Sequence, residues 1–230
     1  QASLPSGLAD GGFLGLARPW VGQPGPRPWA QRLRRWLLRR ILLGPWCAPL
    51  LALGRAVLWG LPESLARQVP RKRPAGKRAV QTGPRAVLML EGCVQPAIAP
   101  VINAAAGRVL ARLGFRVVPV SGAGCCGALD LHLGASGAAL AAMRRNIDAW
   151  WPHVEAGIEA IVMTASGCGV TVREYGKLLE NDPLYAAKAK RVSGLTQDIS
   201  QLIEPLAVEG LGREVGLKVA FQSPCTLQHL

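Results

Sequence analysis

From Arg85 onward, apolar residues come in short continuous runs separated by longer stretches where they recur every three or four positions. Ala86 to Leu90, Phe115 to Val120, Ala160 to Thr164 and Lys218 to Phe221 are the runs. An apolar run without alternation is what a strand buried on both faces requires. Between the runs, Ile98, Val101, Ile102, Ala105, Val109 and Leu113 recur at helical spacing, and Gly114 ends the pattern. Leu140, Met143, Ile147, Trp150 and Val154 mark a second helix that Gly157 stops. A third is expected from about Val170 to Leu179, with Asn181-Asp182-Pro183 after it. A fourth carries Val192, Leu195, Ile199, Leu202, Ile203 and Leu206. Strand and helix alternate, so the fold class is α/β, a parallel sheet with helices on both faces.

The first 84 residues follow a different rule. Residues 1–30 are rich in Gly and Pro, lack periodicity and read as loop. On a helix over 29–43, Trp29, Leu33, Trp36, Leu37, Ile41 and Leu43 fall mostly on one side and Arg32, Arg35 and Arg39 on the other. Gly44-Pro45 breaks it, and Ala48 to Trp59 predicts a shorter helix ended by Gly60-Leu61-Pro62. Residues 70–84 form a basic, Pro- and Gly-containing linker.

Charge separates these parts. The net charge is +13, yet residues 1–80 hold 14 Lys and Arg against 2 Asp and Glu, whereas residues 81–230 hold 13 against 12. The α/β part is thus close to neutral and gives no reason to expect a polyanion partner; no specific nucleic acid is expected. Five of the seven Trp residues lie within 20–59. Two readings suit that segment: an amphipathic surface on anionic lipid, or a helical hairpin packed on another domain, which is the commoner arrangement. The run from Ile41 to Leu53 is too short to span a bilayer, which takes about 20 residues. The chain does not begin with Met, and its last expected strand lies near its end, so it reads as a piece of a longer protein.

The chemistry is concentrated in cysteine. Six cysteines in 230 residues are too few for a secreted disulfide scaffold. Each expected strand is followed by cysteine: Cys93, the adjacent Cys125 and Cys126 within Ser121-Gly-Ala-Gly-Cys-Cys-Gly-Ala-Leu-Asp130, Cys168, and Cys225. Parallel strands place their carboxyl ends on one edge, where α/β sheets bind ligands. Cys93, Cys125, Cys126 and Cys168 should therefore converge. Cys47 lies outside the pattern and reads as a small buried hydrophobe.

Several chemistries suit such a cluster. Gly122, Gly124 and Gly127 match G-x-G-x-x-G, but at the second strand and with no helical pattern starting promptly, a weak dinucleotide signal. Cys168 at a helix start could be a nucleophile, with only His132 and His153 as bases. Four thiols suffice for structural zinc, although the C-x-x-C pairs usual there are missing. An iron–sulfur cluster suits thiols from several loops flanked by Gly92, Gly124, Gly127, Gly167 and Gly169. Purely structural thiols remain the plain alternative.

The spacing of Cys93, Cys125-Cys126-Gly127 and Cys168 resembles the cysteine-rich CCG domain. That domain is shared by one of the subunits of heterodisulfide reductase, the third subunit of anaerobic glycerol-3-phosphate dehydrogenase, and the iron–sulfur subunits of lactate and glycolate oxidation systems. Leu88-Met-Leu-Glu-Gly-Cys-Val-Gln-Pro96, Ala123-Gly-Cys-Cys-Gly-Ala-Leu-Asp130, Asn146-Ile-Asp-Ala-Trp-Trp-Pro152, Thr164-Ala-Ser-Gly-Cys-Gly169 and Pro224-Cys-Thr-Leu-Gln-His229 are similar to the glycolate oxidase iron–sulfur subunits. The resemblance covers about Arg85 to the end, and more loosely the basic Trp-rich segment.

The resemblance implies a helical connector with linker over 1–84, a complete first CCG half over 85–217, and the start of a truncated second half over 218–230. It implies an upstream ferredoxin-like domain, of which this chain carries nothing; Leu4 stands where its last cysteine ligand would be. It implies that Cys93, Cys125, Cys126 and Cys168 bind a 4Fe-4S-type cluster and that Cys225 opens a second site. The fuller heterodisulfide-reductase pattern ends in C-x-x-C, whereas here Cys168 is followed by Gly169, Val170 and Thr171. The implied function is electron transfer within a glycolate-oxidising dehydrogenase. Catalysis and flavin would lie on flavoprotein partner subunits, and the acceptor would be quinone or another membrane carrier. The expected location is cytoplasmic, with peripheral contact at the inner face of the cytoplasmic membrane through residues 29–59. The alternatives are a non-redox docking scaffold and the corresponding subunit of a lactate or glycerol-3-phosphate system.

Overall fold

The computed structural model describes residues 28–203, apart from 45, 61, 68, 72, 78 and 81, together with 216–218 and 220. Four strands form one sheet: β1 (Arg85–Met89), β2 (Phe115–Val117), β3 (Ala160–Met163) and β4 (Thr196–Asp198). Their spatial order is β2-β1-β3-β4, and every pairing is parallel. Val87 pairs with both Val117 and Ala160, so β1 is central.

The connector supplies α1 (Trp29–Leu42), α2 (Cys47–Ala56), a 3-10 turn at Leu58–Gly60 and α3 (Glu63–Ala66). Within the α/β part, α4 (Gln95–Ile98) and α5 (Val101–Arg112) follow β1, and α6 (Ala128–His132) and α7 (Ser136–Glu155) follow β2. After β3 come α8 (Ser166–Arg173), α9 (Tyr175–Leu178) and α10 (Ala186–Leu195), and α11 (Ile199–Ile203) follows β4.

The unbroken apolar runs are explained by two cores. Successive strand residues point to opposite faces. Leu88, Ile161 and Met163 pack on one face with Met143, Ile147 and Trp150 of α7, Val172 of α8 and Val192 of α10. Val87, Ala160 and Val162 pack on the other with Leu110 of α5 and Leu202 of α11. The sheet is thus covered on both faces, as the sequence predicts.

Four expectations change in detail. The fourth strand is Thr196–Asp198, within the stretch read as a single helix; Lys218 and Ala220 are not in a strand, and Val219 and Phe221 lie outside the described residues. Three residues are too few to show alternation, and Val192, Leu195, Ile199 and Leu202 keep a helical spacing across the strand. The helix expected from Ile98 is two pieces around Pro100, whose missing N–H interrupts the ladder. β2 stops at Val117, although Val118 N still donates to Val87 O at 2.9 Å; Pro119 follows on the open edge of the sheet, where proline is tolerated. The helix expected from Val170 starts at Ser166, so Cys168 is helical.

The connector also packs the other way round. Arg35 and Arg39 of α1 turn toward the α/β part, whereas Trp29, Leu33, Trp36 and Leu37 are exposed. α1 and α2 meet at a 91° bend, and no single helix among the described residues is long and apolar enough to cross a membrane. The basic linker is tied down: Arg55 Nε donates to Pro70 O at 2.8 Å, and Arg108 donates to the carbonyls of Ala75 and Lys77 at 3.2 Å.

The entry to the β1–β2 pair is steric. A Cβ on Gly83 would lie 2.0 Å from the carbonyl oxygen of Gly114, whereas one on Gly137, in α7, would meet nothing within 4 Å. Gly83→Ala should therefore lower stability by roughly 1–3 kcal/mol. Gly137→Ala should raise it by about 0.5 kcal/mol through helix propensity. Urea unfolding of the two variants against wild type checks the opposite signs.

Candidate functional site: a thiol cluster at the carboxyl edge of the sheet

The strand order decides where the site forms. The chain leaves β1 to one side for β2 and returns to the other side for β3, so the order reverses between β1 and β3. Such a switch point opens a crevice beyond the carboxyl ends of the strands. Cys93 lies four residues after β1, Cys125 and Cys126 lie in the loop after β2, and Cys168 lies in the first turn of α8 after β3.

The four thiols meet as a chain. Cys93 hydrogen-bonds Cys125, Cys125 hydrogen-bonds Cys126, and the Sγ atoms of Cys126 and Cys168 stand 3.3 Å apart. Cys125 and Cys126 are buried, and Cys93 and Cys168 are partly exposed. All four are reduced, and so is Cys47.

The contacts divide the protons unequally. The Cys126 and Cys93 thiols donate to Cys125 and, with the Gly127 N–H at 3.4 Å and the Arg145 charge, hold its pKa down to about 3. Cys168 is lowered by its hydrogen bond from Cys126. Cys93 and Cys126 are pushed well up, first because they donate to these sulfurs and then because they are buried. Lowered and raised sulfurs thus alternate along the chain, and a bound cation would displace the protons that remain.

Two polar networks hold the loops that carry the sulfurs. Asn146 is fully buried on α7. Its Oδ1 accepts from the Gly124 N–H at 2.8 Å, and its Nδ2 donates to Cys125 O at 2.9 Å and to Tyr175 Oη at 3.2 Å. Tyr175 Oη in turn donates to Cys126 O at 2.8 Å. The double-cysteine loop is thus clamped by its backbone, leaving its sulfurs free to face the other cysteines. Burial pushes the Tyr175 phenol up, so it stays a donor. Gly127, at φ +90°, passes so close to α7 that a Cβ would lie 3.0 Å from Ala139 O. The second network joins the Cys93 and Cys168 loops. Gln95 Nε2 donates to Asn103 Oδ1 at 2.6 Å and to Thr164 Oγ1 at 2.8 Å, and Asn103 Nδ2 donates to Glu91 O at 2.9 Å.

Thr171, one turn after Cys168, is buried, and its hydroxyl donates to Gly167 O at 3.0 Å within α8. Cys225 lies outside the described residues. Cys47 stands at the start of α2 and is half-buried rather than fully buried. A helix does begin directly after Gly127, contrary to the sequence reading, but it is only five residues long. Cys168 is lowered by Cys126, with no contribution from a histidine. Among the described residues, no three His, Cys, Asp or Glu side chains are disposed to hold a single metal ion. The donor set is sulfur from two loops and the first turn of α8, the chemistry of iron–sulfur ligation.

Asn146 and Tyr175 were not assigned roles from the sequence. The signal for Asn146 was there: a polar residue beside Met143, Ile147 and Trp150 on the apolar stripe of α7. Tyr175→Phe should leave Cys126 O unpaired and cost about 1–3 kcal/mol, and Asn146→Leu should cost more, because it strips three partners; urea unfolding measures both. In the metal-free protein, Cys93 and Cys126 keep their protons above the ordinary thiol value of 9.0. A pKa raised on folding stabilises the fold below the unfolded value, and this contribution is lost as pH rises past it. The metal-free protein should therefore lose stability above pH 9.0, and Cys126→Ser should lose less, in urea midpoints taken on either side of that pH.

Residues 87–173 match the family model described as a cysteine-rich domain, CCG. The glycolate oxidase iron-sulfur subunit of Escherichia coli (strain K12) is 45% identical over 231 residues, 100% of this chain and 57% of that protein. The probable glycolate oxidase iron-sulfur subunit of Bacillus subtilis (strain 168) is 27% identical over 178 residues, 76% of this chain and 38% of the relative. Lactate utilization protein A of Bacillus velezensis is 32% identical over 130 residues, 56% of this chain and 52% of the relative. The chain thus spans only 38–57% of the length of these relatives. No solved structure matches it significantly. The α/β unit whose sheet edge gathers these thiols carries a CCG cysteine-rich domain over residues 87–173.

Proposed function

We propose that this chain is the electron-transfer part of an iron–sulfur subunit in a glycolate-oxidising dehydrogenase. The observation that carries the reading is the meeting of Cys93, Cys125, Cys126 and Cys168 at the β1/β3 switch point. These four would hold the cluster, taken as 4Fe-4S, and Cys225 would belong to a second site. A bound cluster supplies one-electron storage at a defined potential. The chain's own residues do the rest. Asn146 and Tyr175 hold the double-cysteine loop, the Gln95–Asn103–Thr164 network holds the flanking loops, and Met163 and Val172 pack beneath them.

Glycolate oxidation and flavin chemistry belong, in this reading, to partner flavoprotein subunits, and electrons leave toward quinone or another membrane acceptor. The similarity to glycolate oxidase subunits over the whole chain supports glycolate as the donor over lactate or glycerol 3-phosphate. The exposed Trp29, Trp36 and Trp59, beside the exposed Arg32, Arg34 and Arg40, support a cytoplasmic protein resting on the inner face of the membrane through residues 29–59.

A second reading, a non-redox docking scaffold, is favoured by one observation: Thr171, not cysteine, occupies the turn after Cys168 and is bonded within its own helix. Anaerobic reconstitution followed by iron and sulfide counting and EPR separates the two. Wild type should take up iron, and Cys125→Ser and Cys126→Ser should lose iron and electron transfer while the complex still assembles. Wild-type protein without iron and with every thiol freely alkylated would sink the cluster reading. Loss of assembly alone in the serine variants favours the scaffold.

A further inference from the structure

We propose that the Arg39–Asp130 ion pair is a latch that positions the double-cysteine loop from the connector helix. Asp130 lies in α6, four residues beyond Cys126, and its side chain is 8% exposed. Arg39 Nε donates to its Oδ1 at 2.5 Å. One turn earlier on α1, Arg35 Nη1 donates to Leu133 O at 3.4 Å, at the far end of the same short helix. α1 therefore holds α6 at two points, and Leu131 N donates to Gly127 O at 3.0 Å, tying α6 to the glycine that ends the thiol loop.

Asp130 is a nearly buried carboxylate, and among the described residues Arg39 is the cation that pairs with it. A buried charge stripped of its partner is strongly disfavoured, so loss of Arg39 loosens α6, which otherwise packs on α7 and α8. The groove at this junction is lined by Trp36, Arg39, Arg40, Leu43, Gly44 and Asp130. Away from this groove, Trp29, Leu33 and Leu37 of α1 are exposed, Trp29 by 76%. A displacement of α1 is thus carried by one ion pair and one carbonyl contact into the segment that sets Cys125 and Cys126. Arg39 and Asp130 are positioning residues; neither touches the sulfurs.

An effect of the latch on potential rests on the cluster reading above, whereas its effect on thiol placement does not. Two readouts on the full-length protein separate them: alkylation rates of Cys125 and Cys126 in the metal-free form, resolved by peptide mass spectrometry, and the midpoint potential and EPR signature of the reconstituted form. Arg39→Gln and Asp130→Asn are each expected to raise the alkylation rates several-fold and to move the potential in the same direction. The reversed pair, Arg39→Asp with Asp130→Arg, should bring both readouts back toward wild type. A simple charge effect predicts opposite shifts, because one variant removes a positive and the other a negative charge; that result, or unchanged thiol rates, overturns the latch. Where a single variant fails to fold, the double variant Arg39→Ala with Asp130→Ala reads the same question: it removes the pair without leaving either charge buried alone, and alkylation rates equal to wild type overturn the latch. Wild-type protein that takes up no iron counts against the cluster reading alone, and the thiol rates still decide the latch.

Discussion

The parallel pairing of β1 with β2 on one side and β3 on the other is the constraint on which the rest of this structure depends. It turns three loops far apart in sequence into neighbours along one edge. Without β1 in the centre, the loop holding Cys93 would not lie between the loop holding Cys125 and Cys126 and the helix start holding Cys168. Backbone hydrogen bonds and two-sided burial of Val87, Leu88, Ile161 and Val162 keep that order. The sulfur cluster is a consequence of sheet topology before it is a consequence of cysteine chemistry.

Burying four thiols together creates an electrostatic problem that the loop solves by sharing protons. Sulfurs in mutual contact cannot all ionise, so Cys125 and Cys168 are lowered while Cys93 and Cys126 are raised. A backbone N–H from Gly127 and the charge of Arg145 favour the anion at Cys125. The polar side chains around the site act on backbone instead. Asn146 satisfies two backbone groups of the loop and braces Tyr175 Oη, which satisfies a third. This division lets the loop be rigid while its sulfurs stay available.

The connector joins the α/β part through its polar face. Helices of mixed character normally bury their apolar side. Here Arg39 finds a nearly buried carboxylate at Asp130, and the Trp-bearing side of α1 is left outward. That arrangement couples the segment to the thiol loop and at the same time leaves an apolar surface free to be covered.

Much of this was legible in the chain itself. Ala86 to Leu90 and Ala160 to Thr164 read as strands covered on both faces, because their short apolar runs do not alternate. The stripe through Met143, Ile147 and Trp150 could only be a helix on a core. Cysteines following the parallel strands pointed to one edge, and the helix at Trp29–Leu42 followed from its two-sided pattern. Other features required the fold. Thr196–Asp198 became a strand because Ile161 and Val162 presented an open edge to it, not because of its own three residues. Which side of α1 faced inward depended on Asp130, 91 positions away. The roles of Asn146 and Tyr175 depended on where a loop carbonyl happened to pass. Local periodicity is set by neighbours along the chain, so the sequence by itself determined the elements and the residue types available for chemistry. Strand order, proton sharing among the sulfurs and the seating of the connector arise from contacts between distant segments, so only the tertiary structure decided them.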